Sequence, residues 1–380
     1  MIDVDVLVVG AGPVGLFLAG ELLRRGHSCA IVERNAAPST YSKALAIMPR
    51  TLDLFERAGV CDAFLGEVNR VRGVRFVTPH GATYVPFANV PARYPFISIV
   101  PQWKTEALLA ARLQQLGGQV LYGHTFEGFE PFESGSRARI RDKERTYHID
   151  ARYVAGCDGV HSAVRENAGI AFPGRSYADR AVLADVPVET TVPKDEARVH
   201  IDRTAVVTLF PMSARMRRIV VIAPREPLPE AASREWLQTR LEHAGLRGTV
   251  AGDPVWSSAF SVHRRVARRM RAGNVFLAGD AAHAHSPVGG QGMNVGLEDA
   301  WVLAETISRV LSGQLPESTI DLYEARRLPI ARSVVRRTDL LMRALAHPSP
   351  VMSVGREFLT PYVVRIPVLR NRVVRELLTA

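Results

Sequence analysis

Three acids, each at the end of an apolar run, are the residues of this chain best placed to do chemistry. Glu33 follows SCAIV, Asp158 follows YVAGC and precedes Gly159, and Asp280 follows NVFLAG with Gly279 before it. Open α/β sheets bind ligands outside the carboxyl ends of their strands, where all three acids would stand. Between the first apolar run and Glu33 lies GAGPVG. Gly10 permits a tight turn, Gly12 lets backbone touch a pyrophosphate, and Gly15 lets the next helix lie close on its strand. Glu33, about 20 residues beyond the turn, stands where a carboxylate accepts ribose hydroxyl hydrogens and repels a 2′-phosphate. The bound nucleotide is therefore FAD or NAD rather than NADP.

The third acid is followed by AAHAHSPVGGQGMNVGLEDA. Pro287 fixes a turn, and Gly289, Gly290 and Gly292 allow backbone to approach a flat ligand. From Met293 onward the pattern is helical, so the first free N–H groups point at that ligand. A flavin gains negative charge at N1 and its C2 carbonyl on reduction, and a helix start there stabilises that form. His283 and His285 form an H-x-H pair with no third ligand nearby, which argues against a metal. No Ser-His-Asp order or paired carboxylates supply a protein nucleophile, and no protein base is assigned. His200, Arg203 and Tyr177 could orient or deprotonate a phenol, although such residues are more often surface or core groups.

These residues need elements to hold them. Val4, Val6, Val8 and Val9 read as a buried strand, and Pro13 to Arg25 as a helix with Pro in its first turn and Gly26 past its end. Ser28 to Val32 reads as the second strand. Alternating segments at 71–77, 82–87 and 96–100, and again across 176–260 with one helix at 233–244, imply a sheet domain inserted twice into a nucleotide domain. Arg264, Arg265, Arg268, Arg269 and Arg271 fall at helical spacing and predict a solvated helix face or linker helix. Phe87, Phe96, Phe210 and Phe260 are candidates for an apolar pocket wall, or for ordinary core.

Composition narrows the class. The chain has 380 residues, 47% hydrophobic and 23% charged, as expected of a globular protein with two cores. Its net charge of +10 suggests a nucleic-acid partner until it is located. Eleven arginines against three acids lie between Arg326 and Ala380, with no aromatic ladder for base stacking, so nucleic acid is not expected. Cys29, Cys61 and Cys157 lack CxxC spacing, so neither disulfides nor zinc is expected. The start carries acids rather than a basic leader, and a cytoplasmic protein is expected.

With these motifs in order, the chain resembles the class A flavoprotein monooxygenases, the family of para-hydroxybenzoate hydroxylase and the aromatic polyketide hydroxylases. The resemblance runs from GAGPVG through GCDGVHSAVR to AGDAAHAHSPVGGQGMNVGLEDA. It implies an α/β fold, with a Rossmann-like FAD-binding domain (1–70, 101–175, 271–330) interrupted by a mainly β substrate domain (71–100, 176–270). A helical basic tail at 331–380 would follow, ending before the thioredoxin-like domain that many relatives carry.

By the same resemblance, Gly10, Gly12, Pro13, Gly15, Glu33 and Arg34 hold the ADP half of FAD. Asp158, Gly159 and Arg165 support FAD and the approach of NADPH or NADH. Gly279 and Asp280 meet the ribityl and pyrophosphate region, and Pro287, Gly289, Gly290, Gln291, Gly292, Met293 and Asn294 lie beside the isoalloxazine. Arg50 and Gln102 match FAD-lining positions, as does Lys43, which stands where an arginine is more usual. The implied reaction is NAD(P)H-dependent: a C4a-hydroperoxyflavin formed with O2 hydroxylates or epoxidises an aromatic, quinone or polyketide-like molecule. Pro287, Gly289 and Gly290 would shield the flavin. The alternatives are an FAD-dependent reductase or dehydrogenase of an isoprenoid or quinone, and a flavin-binding partner protein that does not oxygenate. A halogenase on this scaffold would carry a WxWxIP segment, and the sequence has none. A monomer or homodimer is expected, the basic tail forming solvated helices packed on the FAD domain or, alternatively, meeting a membrane surface or an acidic partner.

Overall fold

The computed structural model describes residues 2–346 except 41, 43, 90, 91, 133, 134, 224, 225, 247, 287 and 288, and in the tail 349, 354, 355, 357, 358 and 366. Of 2, 176–180, 260–262 and 344–346, only the backbone is described. Lys43, Pro287 and the side chains of Tyr177 and Phe260 thus lie outside the description.

An eight-stranded sheet carries the nucleotide motifs. Its path runs Arg271–Ala272, Val275–Leu277, Thr146–Gly156, Ile2–Val9, Cys29–Glu33 and Val120–Tyr122, and the strands Thr125–Phe132 and Gly135–Arg141 extend it beside Thr146–Gly156. The central strands are parallel and in tight register. Val9 pairs with Val32 on one side and Gly156 on the other, and Gly156 pairs with Leu277. Four strands therefore end at one edge. Val6, Leu7 and Val8 have no exposed surface, as expected of a parallel strand covered on both faces. The helix Pro13–Arg24 covers one face and packs along the helix Gly292–Leu311. Gly296 sits at that crossing, where an added Cβ would lie 2.7 Å from Val14 Cγ2.

A nine-stranded sheet forms the second layer, its path running His283–Ala284, Trp256–Val266, Gly174–Glu189, Met216–Ile222, Val206–Pro211, Glu196–Ile201, Gly73–Thr78 and Gly81–Pro86. The helix Arg234–His243, capped by Ser233 Oγ on the Trp236 N–H, closes one apolar cluster of this sheet with Leu237 and Leu241. Ile97–Ile99 does not join the neighbouring hairpin. It pairs with Ala46–Ile47 and Asn69–Val71 in a small three-stranded sheet.

One local expectation changes. The arginines from 264 to 271 are not on a helix: Arg264 and Arg265 lie on a strand paired with Arg175 and Gly174, and Arg271 begins the next strand. Charge spacing alone carries no backbone information, and cross-strand pairing decides the segment. Thr146–Gly156 is one long strand, and Arg137 lies directly across from its Asp150 and neutralises it at 2.7 and 2.9 Å. The last long helix, Leu322–Ala346, runs through Pro329. It is docked: Tyr323 is fully buried and its hydroxyl donates to the Leu277 carbonyl at 2.7 Å. No helix among the described residues is long and apolar enough to cross a membrane.

Candidate functional site

The shared sheet edge brings the three sequence motifs together. Gly10 has φ +102°, and a Cβ there would lie 2.5 Å from the Cys157 carbonyl oxygen. At Gly15 it would lie 1.9 Å from the Gly10 carbonyl oxygen, so the helix can approach its strand only without a side chain. Gly12 is different. No atom stands within 4 Å of its absent Cβ, so the space above it is open. The helix beginning there has no side-chain cap and no acid in its first turn, which leaves its N–H groups and positive dipole end to an anion. Glu33 braces the turn, accepting the Ala11 N–H through Oε2 and the Asn35 N–H through Oε1, both at 2.9 Å. Each oxygen retains lone-pair capacity for ribose hydroxyls. Arg34 is exposed.

In the middle motif, Asp158 Oδ2 accepts the Val164 N–H at 3.1 Å, while Oδ1 is buried without a partner. Burial pushes the Asp158 pKa up against the Ser162 and Val164 hydrogen bonds. Gly159, at φ +80°, faces open space. Arg165 is buried. It donates to the carbonyls of Ala281 and Val160, both at 3.0 Å, and lies over the Phe172 ring at 4.0 Å. Its guanidinium therefore ties the second motif to the third.

The third motif rests on a charged core that sequence reading missed. Asp299 is fully buried and accepts hydrogen bonds from the Gly279 N–H (3.2 Å), His283 Nε2 (2.6 Å) and Arg327 Nε (2.6 Å). Because a carboxylate only accepts, His283 carries its proton on Nε2. Burial opposes the charge on Asp299, but Arg327 and His283 together hold its pKa below the usual carboxylate value. Arg327 also reaches Glu298 Oε2 at 3.0 Å, and Glu298 Oε1 meets Arg50 Nε at 2.9 Å. Arg50 is thus joined to the same network. Asp280 is exposed and faces His263, whose pKa is lowered by burial, then by Arg265 and His161, with Asp280 opposing.

Beyond it, Gly289 and Gly290 take positive φ, +90° and +64°. A Cβ on Gly290 would meet Ala46 Cβ at 3.3 Å and Met48 Cε at 3.5 Å. Asn294 staples this corner: its Oδ1 accepts from the Met48 N–H and Thr51 hydroxyl, and its Nδ2 donates to the carbonyls of Ala46 and Gly290, at 2.8–2.9 Å. Asn294 contributes its side chain to this staple and its backbone to the open first turn. The helix Gly292–Leu311, preceded by Gln291, again has no side-chain cap and no first-turn acid, so the N–H groups of Gly292, Met293 and Asn294 lack intrahelical partners. Under it sits His285, with both ring nitrogens buried and unpartnered and its pKa pushed down by burial to about 3. Two uncapped helix starts, the open space over Gly12 and Gly159, and the orphaned Asp158 and His285 atoms fit a bound FAD.

One further feature escaped the sequence. Arg218, 2% exposed, donates to both oxygens of Asp185 at 2.7 and 2.8 Å and to the Ser42 carbonyl at 2.8 Å. The nine-stranded sheet thereby grips the segment that Gln102 holds from the other side, its backbone N–H donating to the Ser42 hydroxyl and its Oε1 accepting from the Ala44 N–H. Next to this clamp, Leu45 and Met48 pack with Val74, Val85 and Phe87, and with Phe76 and Phe210, in one apolar cluster. The only advance sign of the clamp was a charged residue amid strand-forming neighbours, whereas Phe87 and Phe210 of the cluster were already candidates for an apolar wall. Phe96 instead joins the core of the nucleotide domain. His200 is buried under a helix, with Nδ1 at 2.8 Å from the Ala244 carbonyl, and Arg203 pairs with Glu357 at 2.9 Å. Neither contact reaches the glycine corner.

Residues 3–338 match the model of the family described as FAD binding domain. The sequence is 34% identical over 348 residues to 12-dehydrotetracycline 5-monooxygenase/anhydrotetracycline 6-monooxygenase of Streptomyces rimosus, covering 88% of this chain and 68% of that one. Pentachlorophenol 4-monooxygenase of Sphingobium chlorophenolicum is 35% identical over 354 residues, 89% of this chain and 64% of its own length. Among solved structures, the anhydrotetracycline hydroxylase of Streptomyces rimosus superposes with a TM-score of 0.82 at 32% identity, over 99% of this chain and 76% of that chain. A family model spanning most of the chain and relatives above 30% identity agree with the nucleotide edge described above: the chain belongs to the FAD binding domain family of flavin-dependent monooxygenases.

Proposed function

We propose that this FAD-dependent monooxygenase hydroxylates or epoxidises an aromatic, quinone or polyketide-like small molecule, with NADPH or NADH as electron donor and O2 as co-substrate. One observation carries the reading: the glycine corner that follows Asp280 abuts Ala46 and Met48, at the margin of an apolar cluster shared by both domains. FAD, when bound, supplies acceptance of two electrons from the nicotinamide and activation of dioxygen. The chain's own part is to bind, orient and keep dry. Gly10, Gly12, Gly15 and Glu33 form the proposed adenosine and pyrophosphate cradle. Asp158, Gly159, Gly279 and Asp280 stand at the strand ends between that cradle and the corner. Backbone at Gly289, Gly290 and Gly292 can lie flat against a ring while Met48 and Phe210 limit water. The relatives' names, which specify tetracycline intermediates and pentachlorophenol, support an aromatic substrate class.

We further place the protein in the cytoplasm, as a monomer or homodimer acting on small molecules rather than nucleic acid. The test uses the purified FAD-loaded protein with NADPH or NADH, labelled dioxygen and a panel of phenols and polycyclic quinones. Label in the product supports oxygenation. Nicotinamide oxidation with an unlabelled, hydrogenated or dehydrogenated product would replace this reading with a reductase or dehydrogenase, and no oxidation with any partner would indicate a non-oxygenating flavoprotein.

A further inference from the structure

A second charged feature lies away from the nucleotide edge. Arg175, second residue of the strand Gly174–Glu189, lies directly opposite Arg264 of the antiparallel strand Trp256–Val266. Like charges directly opposite on such a pair repel. Across from them, Arg332 and Arg336 stand one turn apart on the helix Leu322–Ala346, a second repelling pair. The four arginines ring a cleft of about 460 Å³ whose floor includes Val266 and Val335. No acid lines it.

Compensation inside the protein is slight. Asp339 reaches Arg264 at 3.0 Å but is shared with Arg343 at 3.2 Å, and Arg332 finds only the Arg268 carbonyl at 3.5 Å. Among the described residues, no carboxylate pairs with Arg175, Arg332 or Arg336. Side chains alternate along a strand. His263 and Arg265, the neighbours of Arg264, face Asp280 and Phe172 on the nucleotide side, so Arg264 and this cleft lie on the opposite face.

We propose that this cleft is a binding site for a phosphorylated nucleoside. Guanidinium groups present fixed donor pairs that match phosphate oxygens, and an apolar floor between them accepts a flat base. The volume lies within the usual range for small-molecule sites, about 300–1,000 Å³. Two sources carry this chemistry: the 2′-phosphoadenosine end of NADPH, and a free nucleotide.

The experiment titrates FAD-loaded protein with 2′,5′-ADP, 5′-AMP and inorganic pyrophosphate by calorimetry, in the wild type and in a variant carrying Arg332→Gln and Arg336→Gln. Both positions are exposed, so the flavin spectrum and flavin content serve as the check on folding. Saturable nucleotide binding that weakens about tenfold or more in the variant, with the flavin spectrum unchanged, is the expected result. A parallel rise in KM for NADPH at constant kcat identifies the coenzyme as the source; an unchanged KM identifies a free nucleotide. Absence of saturable binding, equal binding in the variant, or pyrophosphate binding as tightly as the nucleotides would overturn the proposal. The titration needs no turnover, so its failure is distinguishable from failure of the proposed oxygenation.

Discussion

Replacing Asp299 by Asn tests whether the charged core under Gly279 holds the flavin edge in place. The carboxylate is fully buried, takes three hydrogen bonds, and balances Arg327, which is itself 2% exposed. Breaking a buried ion pair by neutralising one partner costs about 3–5 kcal/mol, since the remaining charge has lost its counter-ion in a low dielectric. Arg327 keeps Glu298 at 3.0 Å and the Val295 carbonyl at 3.1 Å, which places Asp299→Asn at the lower end, about 3 kcal/mol. His283 also loses its charged acceptor, and Gly279 its anchor, so FAD affinity should fall as well. Urea unfolding of the apoprotein measures the first effect, and quenching of FAD fluorescence on titration measures the second. The companion variant decides the cause. Asp299→Leu combined with Arg327→Met removes both charges and should be less destabilised than Asp299→Leu alone. A loss below about 1 kcal/mol for Asp299→Asn, or a double variant as unstable as the single, would refute the electrostatic account.

Gly15→Ala, whose Cβ would stand 1.9 Å from the Gly10 carbonyl oxygen, should yield protein that purifies without yellow colour. Gly20→Ala on the same helix, with nothing within 4 Å, should keep its flavin and gain about 0.5–1 kcal/mol in thermal unfolding. Arg218→Met leaves Asp185 buried without its partner and frees the Ser42 carbonyl, so it should cost about 3 kcal/mol and raise the Kd for FAD; full retention of both would show that the clamp is idle. His200, with its pKa lowered by burial to about 4, makes folding prefer its neutral form. Its contribution is complete above the unfolded value of about 6.5 and is lost progressively as pH falls towards 4, at up to about 1.4 kcal/mol per pH unit. His200→Gln should flatten the stability profile in that window, and an unchanged slope would assign the acid sensitivity to other groups.

The dinucleotide edge was legible in the sequence because its determinants are local. The positive φ of Gly10, the close approach of Gly15 to the Gly10 carbonyl, and an acid one strand further on are fixed largely by local sterics and short-range hydrogen bonding. The same locality explains why the Pro13–Arg24 helix and the glycine corner could be read in advance. Residues whose meaning depends on what lies across a sheet could not. The arginines near 264 looked helical until Arg175 and Gly174 paired with them. Asp299, Arg327, Asp185 and Arg218 come from segments far apart in the chain, and only tertiary packing removes the water that would otherwise make their charges inexpensive. Sequence by itself determined which cofactor edge this protein builds; the tertiary structure decided which buried charges hold that edge, and where strand and helix gather four arginines around one cleft.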